Sequence, residues 1–222
     1  MTILDDAGRS AFIIQHTTVS AAPLVSELVL HLATEVTPLW QATEDKLDLV
    51  GLPPPYWAFP WVGGQAVARY ILDYPEIVRG RSVLDFAAGC GLIGLAAARV
   101  GAGSVTASDI DPFALAAIKL NAARNGLTLT ICDENLVGQK LPSLDVVLAG
   151  DVCYERPMAE AVIAWLRALA GAGKIVIIGD PGRNYLPRTG LTALARYDVA
   201  TICDVENSDR KSTTVWRVEA GF

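Results

Sequence analysis

Apolar residues along this chain gather in short blocks separated by longer stretches of helical period. Residues 83–86, 104–108, 127–132, 144–149 and 174–179 are rich in Val, Ile, Leu, Ala and Thr, and each is bounded by Gly, Asp or Pro. Blocks of that length predict strands, and the unbroken ones predict strands covered on both faces. Residues 113–125 and 158–170 carry helical spacing, with Gly126 as a C-terminal stop. Residues 65–74 put Ala66, Val67, Tyr70 and Ile71 on one face, and Pro75 ends that helix. Nearer the start, residues 21–35 read as an amphipathic helix with Pro23 at its head, which places His31 on a helix and His16 in a ragged N-terminus. Residues 37–52 are mixed and partly irregular. Near the end, 192–197 read as helix, and 198–205 and 213–218 as two strands joined too tightly for a helix between them.

Strand and helix alternating in this way predict an α/β fold: a Rossmann-like, doubly wound, mostly parallel seven-stranded sheet with a C-terminal antiparallel hairpin. An N-terminal helical extension, residues 1–52, precedes the sheet domain, residues 53–222. Ligands in such sheets bind beyond the carboxyl ends of the strands, where strand order reverses. The ends of the first, second and fourth predicted strands carry Asp85, Asp109 and Asp151, so those carboxylates are expected to converge there.

The first strand runs into Gly89, Gly91 and Gly94, the G-x-G-x-x-G spacing. Gly89 and Gly91 open the main chain to a ligand, and Gly94 lets the next helix sit close to the strand. That spacing serves several cofactors. Asp85, four residues before Gly89, narrows the choice. A dinucleotide puts an anionic pyrophosphate at the helix N-terminus, where a neighbouring carboxylate is unfavourable. Asp85 suits a cationic head instead, an ammonium or a sulfonium, and S-adenosylmethionine carries both. At the end of the second strand Asp109 is placed to accept both hydroxyls of a ribose, with Ile110 beside it, while Asp111 before Pro112 reads as a helix cap. After the third strand come Asp133, Glu134 and Asn135, and one of the three is expected to meet an adenine amino group.

Composition excludes other classes. The net charge of −6 argues against a nucleic-acid surface, which needs clustered Lys and Arg, and fits a basic protein partner better. No apolar run approaches a membrane span, so no membrane partner is expected. Cys90, Cys132, Cys153 and Cys203 lack metal-ligand spacing and a neighbouring His, so no metal is expected and the cysteines read as reduced core residues. Between Pro53 and Gln65 the aromatic residues Tyr56, Trp57, Phe59 and Trp61 crowd together. They read either as a plug that packs the extension onto the sheet or as a lid with one ring beside a flat or cationic ligand.

The segments 55–65 (PYWAFPWVGGQ), 84–91, 109–112 (DIDP), 150–154 (GDVCY), 178–183 (IGDPGR) and 212–216 (STTVW) together resemble the electron transfer flavoprotein β-subunit lysine methyltransferase family. It lies within the class I, seven-strand S-adenosylmethionine-dependent protein lysine methyltransferases. The likeness covers residue 56 to the end, and the first fifty or so residues match only loosely. It implies transfer of methyl from S-adenosylmethionine to lysine side chains of a protein, the electron transfer flavoprotein β subunit first, with a ribosomal protein as the alternative. It implies catalytic Asp151 and Tyr154 in the acidic-x-x-aromatic motif, with Gly150 at the cofactor. It also implies a tryptophan at the cofactor, Trp61 ahead of Trp57. Asp151 would capture the ammonium and orient the amine, or cap the following segment; Tyr154 would shape the lysine channel, or pack with its hydroxyl on backbone. Arg183, on the same rim, either steers an acidic patch of the substrate or braces its turn. No mitochondrial presequence is evident, so a bacterial cytoplasmic enzyme is expected, and the mitochondrial matrix for a eukaryotic one. The rival classes are a nicotinamide-dependent oxidoreductase, which leaves Asp85 without a role, a methyltransferase acting on small molecules or nucleic acids, and a non-catalytic scaffold. An Asn-Pro-Pro-aromatic motif, expected for base-amino methylation, does not follow the fourth strand.

Overall fold

The computed structural model describes residues 5–33, 54–201 and 209–221. Its centre is a seven-stranded sheet made of β3 (Ser82–Phe86), β4 (Ser104–Ser108), β5 (Thr130–Cys132), β6 (Val146–Gly150), β7 (Ile175–Asp180), β8 (Leu191–Ala200) and β9 (Arg210–Val218). The strand order is β5-β4-β3-β6-β7-β9-β8. The first five are parallel, and β9 runs antiparallel to both β7 and β8. Order reverses between β3 and β6, so the crevice for a ligand opens at the carboxyl ends of β4, β3 and β6.

Period two in the strands sorts the core into two layers. Val146 and Leu148 face α2 (Val62–Asp73) and α3 (Leu92–Arg99), with Val67, Ile71, Ile93 and Ile177. Val147 and Ala149 face α5 (Arg156–Gly171), with Trp165, Leu166 and Ile178. Both faces of β6 are therefore apolar, the pattern of a covered parallel strand. The remaining sheet helix, α4 (Pro112–Asn125), begins with Asp111, whose side chain accepts from the Phe113 amide, and ends at Gly126 in the left-handed region. Both ends were legible.

Two expected helices are strands. Within the stretch 21–35, residues 21–32 belong to a hairpin of β1 (Thr18–Ala22) and β2 (Val25–Leu32), with Pro23 in its turn, and 34–35 lie outside the described residues. Leu28, Leu30 and Leu32 are buried against Leu92, Leu95 and Ala122, while Val29 and His31 point away. Val25, Leu28, Val29 and Leu32 fit a helical stripe, whereas Leu28, Leu30 and Leu32 fit a strand; tertiary bonding decides. Asn121 and Asn125 of α4 accept hydrogen bonds from the His31 and Val29 amides at 2.8 and 3.1 Å, so a helix supplies what a third strand would. His31 thus lies on a strand, its Nδ1 3.2 Å from Thr17 Oγ1. The second correction is 192–197, which falls inside β8, an edge strand paired to β9 with a bulge between Ala193 and Ala195. Edge exposure leaves β8 little apolar alternation to read.

The start is an ordered helix, α1 (Asp6–His16), capped by Asp5 and resting on α4 through Ile13 and Phe12. The extension is thus a helix and a hairpin rather than helices alone. The mixed stretch at 37–52, the expected domain boundary at 52–53, and Cys203 lie outside the described residues. Among the described residues no helix is long and apolar enough to cross a membrane, and no group of three His, Cys, Asp or Glu side chains is placed to hold a metal ion.

Candidate active site

Three acidic side chains meet at the carboxyl edge of β4, β3 and β6, in three different settings. Asp85 is fully enclosed. Its Oδ2 accepts the Gly94 amide at 2.7 Å, inside the first turn of α3, while its Oδ1 has no hydrogen-bond partner. The carboxylate therefore fixes the helix that follows the glycine turn from behind. Burial, with Asp109 nearby, raises its pKa well above the usual carboxylate range. It lies beneath the turn and presents no surface to a ligand.

The turn itself is bent by three left-handed residues, Ala87 (φ 52°), Gly89 (φ 54°) and Gly91 (φ 79°). The glycines differ in purpose. A side chain at Gly91 would press on Ile118, and one at Gly94 would stand 2.8 Å from Leu129 and 3.1 Å from Asp85 Oδ2. Those two make room for α4, Leu129 and the strand. Only Gly89 faces open space, where a Cβ would meet nothing nearer than the Trp57 Cα at 3.9 Å. Its amide donates to Asp109 Oδ2 at 2.8 Å, and the Asp111 amide donates to Asp109 Oδ1 at 3.0 Å. Each Asp109 oxygen keeps a lone pair for a further donor. Burial raises the pKa of Asp109 and pushes Asp111 up to about 6. Next to Asp109, Ile110 is 73 % exposed.

Asp151 follows β6 in the left-handed region (φ 58°), an uncommon place for a non-glycine residue. It is buried, and it belongs to the sheet edge and to α2 at once. Its Oδ2 accepts the Gly64 amide at 3.1 Å, and its Oδ1 accepts Arg183 Nε at 3.1 Å and Nη2 at 2.6 Å. It caps α2, the helix ahead of the sheet. Gly150 lies against the same helix: a Cβ there would stand 2.5 Å from the Gly64 nitrogen. Its missing side chain admits α2. The α2 residues Gly63 and Gly64 fall ahead of the helix expected at 65–74, which in fact begins at Val62; the Gly-Gly pair next to it was the signal.

The aromatic residues divide. Trp57 is buried, stacked on Phe113 at 6.0 Å, and part of the core beneath α1. Trp61 caps α2 at the rim, its Nε1 donating to the Tyr56 carbonyl at 2.9 Å. Tyr56 bridges Trp61 (6.0 Å) and Tyr154 (5.8 Å), and Tyr56 and Tyr154 are both exposed. The Arg183 guanidinium lies 5.9 Å from the Trp61 ring centre. The packing role expected of this run thus falls to Trp57, while Tyr56 and Trp61 lie at the rim. Glu134 and Asn135 are exposed past β5, with the Asn135 side chain accepting the Val137 amide in its own loop. Burial raises the pKa of Tyr154, the Glu155 and Asp109 carboxylates raise it further, and Arg183 opposes.

Comparison with known proteins follows the same outline. Residues 70–156 match the family model described as Ribosomal protein L11 methyltransferase (PrmA). The electron transfer flavoprotein beta subunit lysine methyltransferase of Xenopus laevis is 38% identical over 215 residues, 94% of this chain and 86% of that protein. The Homo sapiens protein of the same name is 37% identical over 218 residues, 95% and 82%. The solved magnesium protoporphyrin IX methyltransferase of Synechocystis, with bound SAM, superimposes with a TM-score of 0.52 at 18% identity, covering 69% of this chain and 77% of that one; this likeness concerns the fold.

Proposed function

We propose that this chain, which belongs to the electron transfer flavoprotein β-subunit lysine methyltransferase family and is an S-adenosylmethionine-dependent protein-lysine methyltransferase, modifies the electron transfer flavoprotein β subunit. The observation that carries the reading is Asp151: a buried carboxylate, held in the left-handed region between a helix N-terminus and a cation, one strand away from the Asp85–Asp109 edge.

The residues fit the cofactor. Gly89 leaves room beside the backbone, Asp109 keeps two acceptor sites for a ribose, and Ile110 offers an exposed apolar face for a flat ring. The raised Asp85, with an oxygen left over, gains from a positive charge beyond the turn. When bound, S-adenosylmethionine supplies an electrophilic methyl group on a sulfonium.

The protein's own part is to bring a lysine into line. A free lysine has a pKa of about 10.4, so it arrives as an ammonium. Asp151 attracts that cation, and the faces of Tyr56, Trp61 and Tyr154 border its path. Once there, the amine is held by a carboxylate whose position is fixed by the Gly64 amide. Tyr154 is 44 % exposed, so water reaches the rim and can take the amine proton. Orientation of this kind is worth roughly seven kcal/mol or more in favourable cases. A second substrate, a ribosomal protein, is favoured by the family-model match over residues 70–156. That match covers the glycine turn, Asp109, Asp151 and Tyr154, the shared machinery, and stops short of Arg183.

The test is Asp151→Asn. It keeps the shape and the contact to Gly64 and removes the charge. Calorimetry is expected to show cofactor affinity unchanged, and turnover is expected to fall roughly 10²-fold or more. Turnover near that of the wild type would remove Asp151 from the reaction.

A further inference from the structure

One side chain stands where an incoming lysine has to go. The Arg183 guanidinium rests on Asp151 Oδ1 and against the face of Trp61, while the other carboxylate oxygen is committed to Gly64. Carboxylate and aromatic face together recognise a cation of either kind, guanidinium or ammonium. The backbone beneath Arg183 is fixed: the Gly182 and Arg183 amides both donate to Asp180 Oδ1 at 2.7 Å, with Gly182 in the left-handed region (φ 91°). The side chain keeps 20% of its surface in solvent against 9% for Asp151. Of the two partners, the arginine is the one with a way out.

We infer that Arg183 determines specificity by standing in for the substrate: its guanidinium occupies the ammonium position between Asp151 and the Trp61 ring, and a lysine enters only by exchanging with it. This rests on the reading that Asp151 receives the substrate lysine. The exchange replaces one cation with another, so the charge of the site does not change. A lone amine gains little by it. A lysine delivered by a docked protein brings the contacts of the rest of its surface and completes the exchange. If the pair is closed nine-tenths of the time, a lone ammonium binds about ten-fold more weakly than to an open site. Arg183 thereby selects lysine in proteins over free amines.

The probe is Nα-acetyl-lysine methylamide, a lysine side chain without a docking surface, titrated by calorimetry into the wild type and into Arg183→Gln. Binding about ten-fold tighter in the variant is expected. The variant's melting temperature should start lower, because the Arg183–Asp151 ion pair is lost, and rise at about ten-fold lower probe concentration than the wild type's. Equal or weaker binding in Arg183→Gln would overturn the inference and leave Arg183 as a brace for Asp151. Arg183→Lys retains a cation and should bind the probe as weakly as the wild type; tight binding there would also overturn it. If Arg183→Gln does not fold, Arg183→Met, which fills similar space without charge, takes its place. The titration needs no methyl transfer. A wild type that methylates no protein lysine therefore refutes the assigned reaction, whereas probe binding that ignores residue 183 refutes the exchange alone.

Discussion

Gly63→Ala is the substitution that most directly probes how Asp151 is held. A Cβ at residue 63 would collide with the Gly179 carbonyl oxygen and stand 2.5 Å from Asp151 Oδ2 and 2.8 Å from its Cγ. Two of these neighbours belong to the carboxylate and the third is sheet backbone, so none can move aside without disturbing β7 or the site. Overpacking of this kind costs about 1–3 kcal/mol, while the better helix propensity of alanine returns up to about 1. A net loss of about 1–2 kcal/mol corresponds to roughly 2–8 °C in melting temperature for a chain of this size. Gly64→Ala is the matched control. A Cβ there meets nothing within 4 Å, so the same change one residue on should be neutral or stabilising by up to about 1 kcal/mol. Both keep the Gly64 amide. The assay is thermal unfolding of both variants beside the wild type, followed by methyl-transfer rate at saturating cofactor. Gly63→Ala should melt lower and turn over at least several-fold more slowly; Gly64→Ala should match the wild type in rate. Equal melting temperatures for the two variants would refute the close packing of α2 on the ends of β6 and β7.

Trp57→Ala should cost about 3–5 kcal/mol of stability in denaturant unfolding, since the ring is buried and stacked on Phe113, whereas Trp61→Ala should change stability far less and raise the KM for the protein substrate. Ile110→Ser should leave the unfolding midpoint nearly in place, because Ile110 is mostly exposed, yet weaken cofactor binding by calorimetry about ten-fold, the loss of roughly 1–2 kcal/mol of apolar burial. Asp111 carries a folded-state pKa raised to about 6 from 3.8, chiefly by burial, so between those values the folded chain holds a proton that the unfolded chain releases. The stability difference between the ligand-free wild type and Asp111→Asn, which still caps the helix, should therefore turn against the wild type as pH rises from about 4 to about 6. Thermal unfolding of both proteins across pH 4–8 checks it, and a difference that moves the other way contradicts the burial of Asp111.

The sheet was legible because its strands are short apolar blocks and its helices have a clear period. Residues 83–86, 104–108, 146–149 and 175–179 all lie within strands, and the meeting of Asp85, Asp109 and Asp151 follows from parallel connectivity alone. The hairpin at 18–32 was not, because its decisive hydrogen bonds come from Asn121 and Asn125, some ninety residues away. β8 failed for the opposite reason: an edge strand buries too little to show a pattern. Within the site, residue types were readable and their partners were not. Asp85 and Gly150 were singled out for the ligand, but their protein partners, the Gly94 amide and α2, were not readable. The pairing of Arg183 with Asp151 joins two loops that only the fold brings together. In the aromatic run at 56–61 only burial separates Trp57, packed in the core, from Trp61 at the rim.

Incubation of the purified chain with methyl-labelled S-adenosylmethionine and the electron transfer flavoprotein β subunit, followed by peptide mass spectrometry, tests the central claim most directly. The predicted result is label on lysine side chains of that subunit, lost with Asp151→Asn. A chain that binds the cofactor yet transfers label to no protein lysine, or transfers it to lysine equally well without the Asp151 charge, would contradict the account.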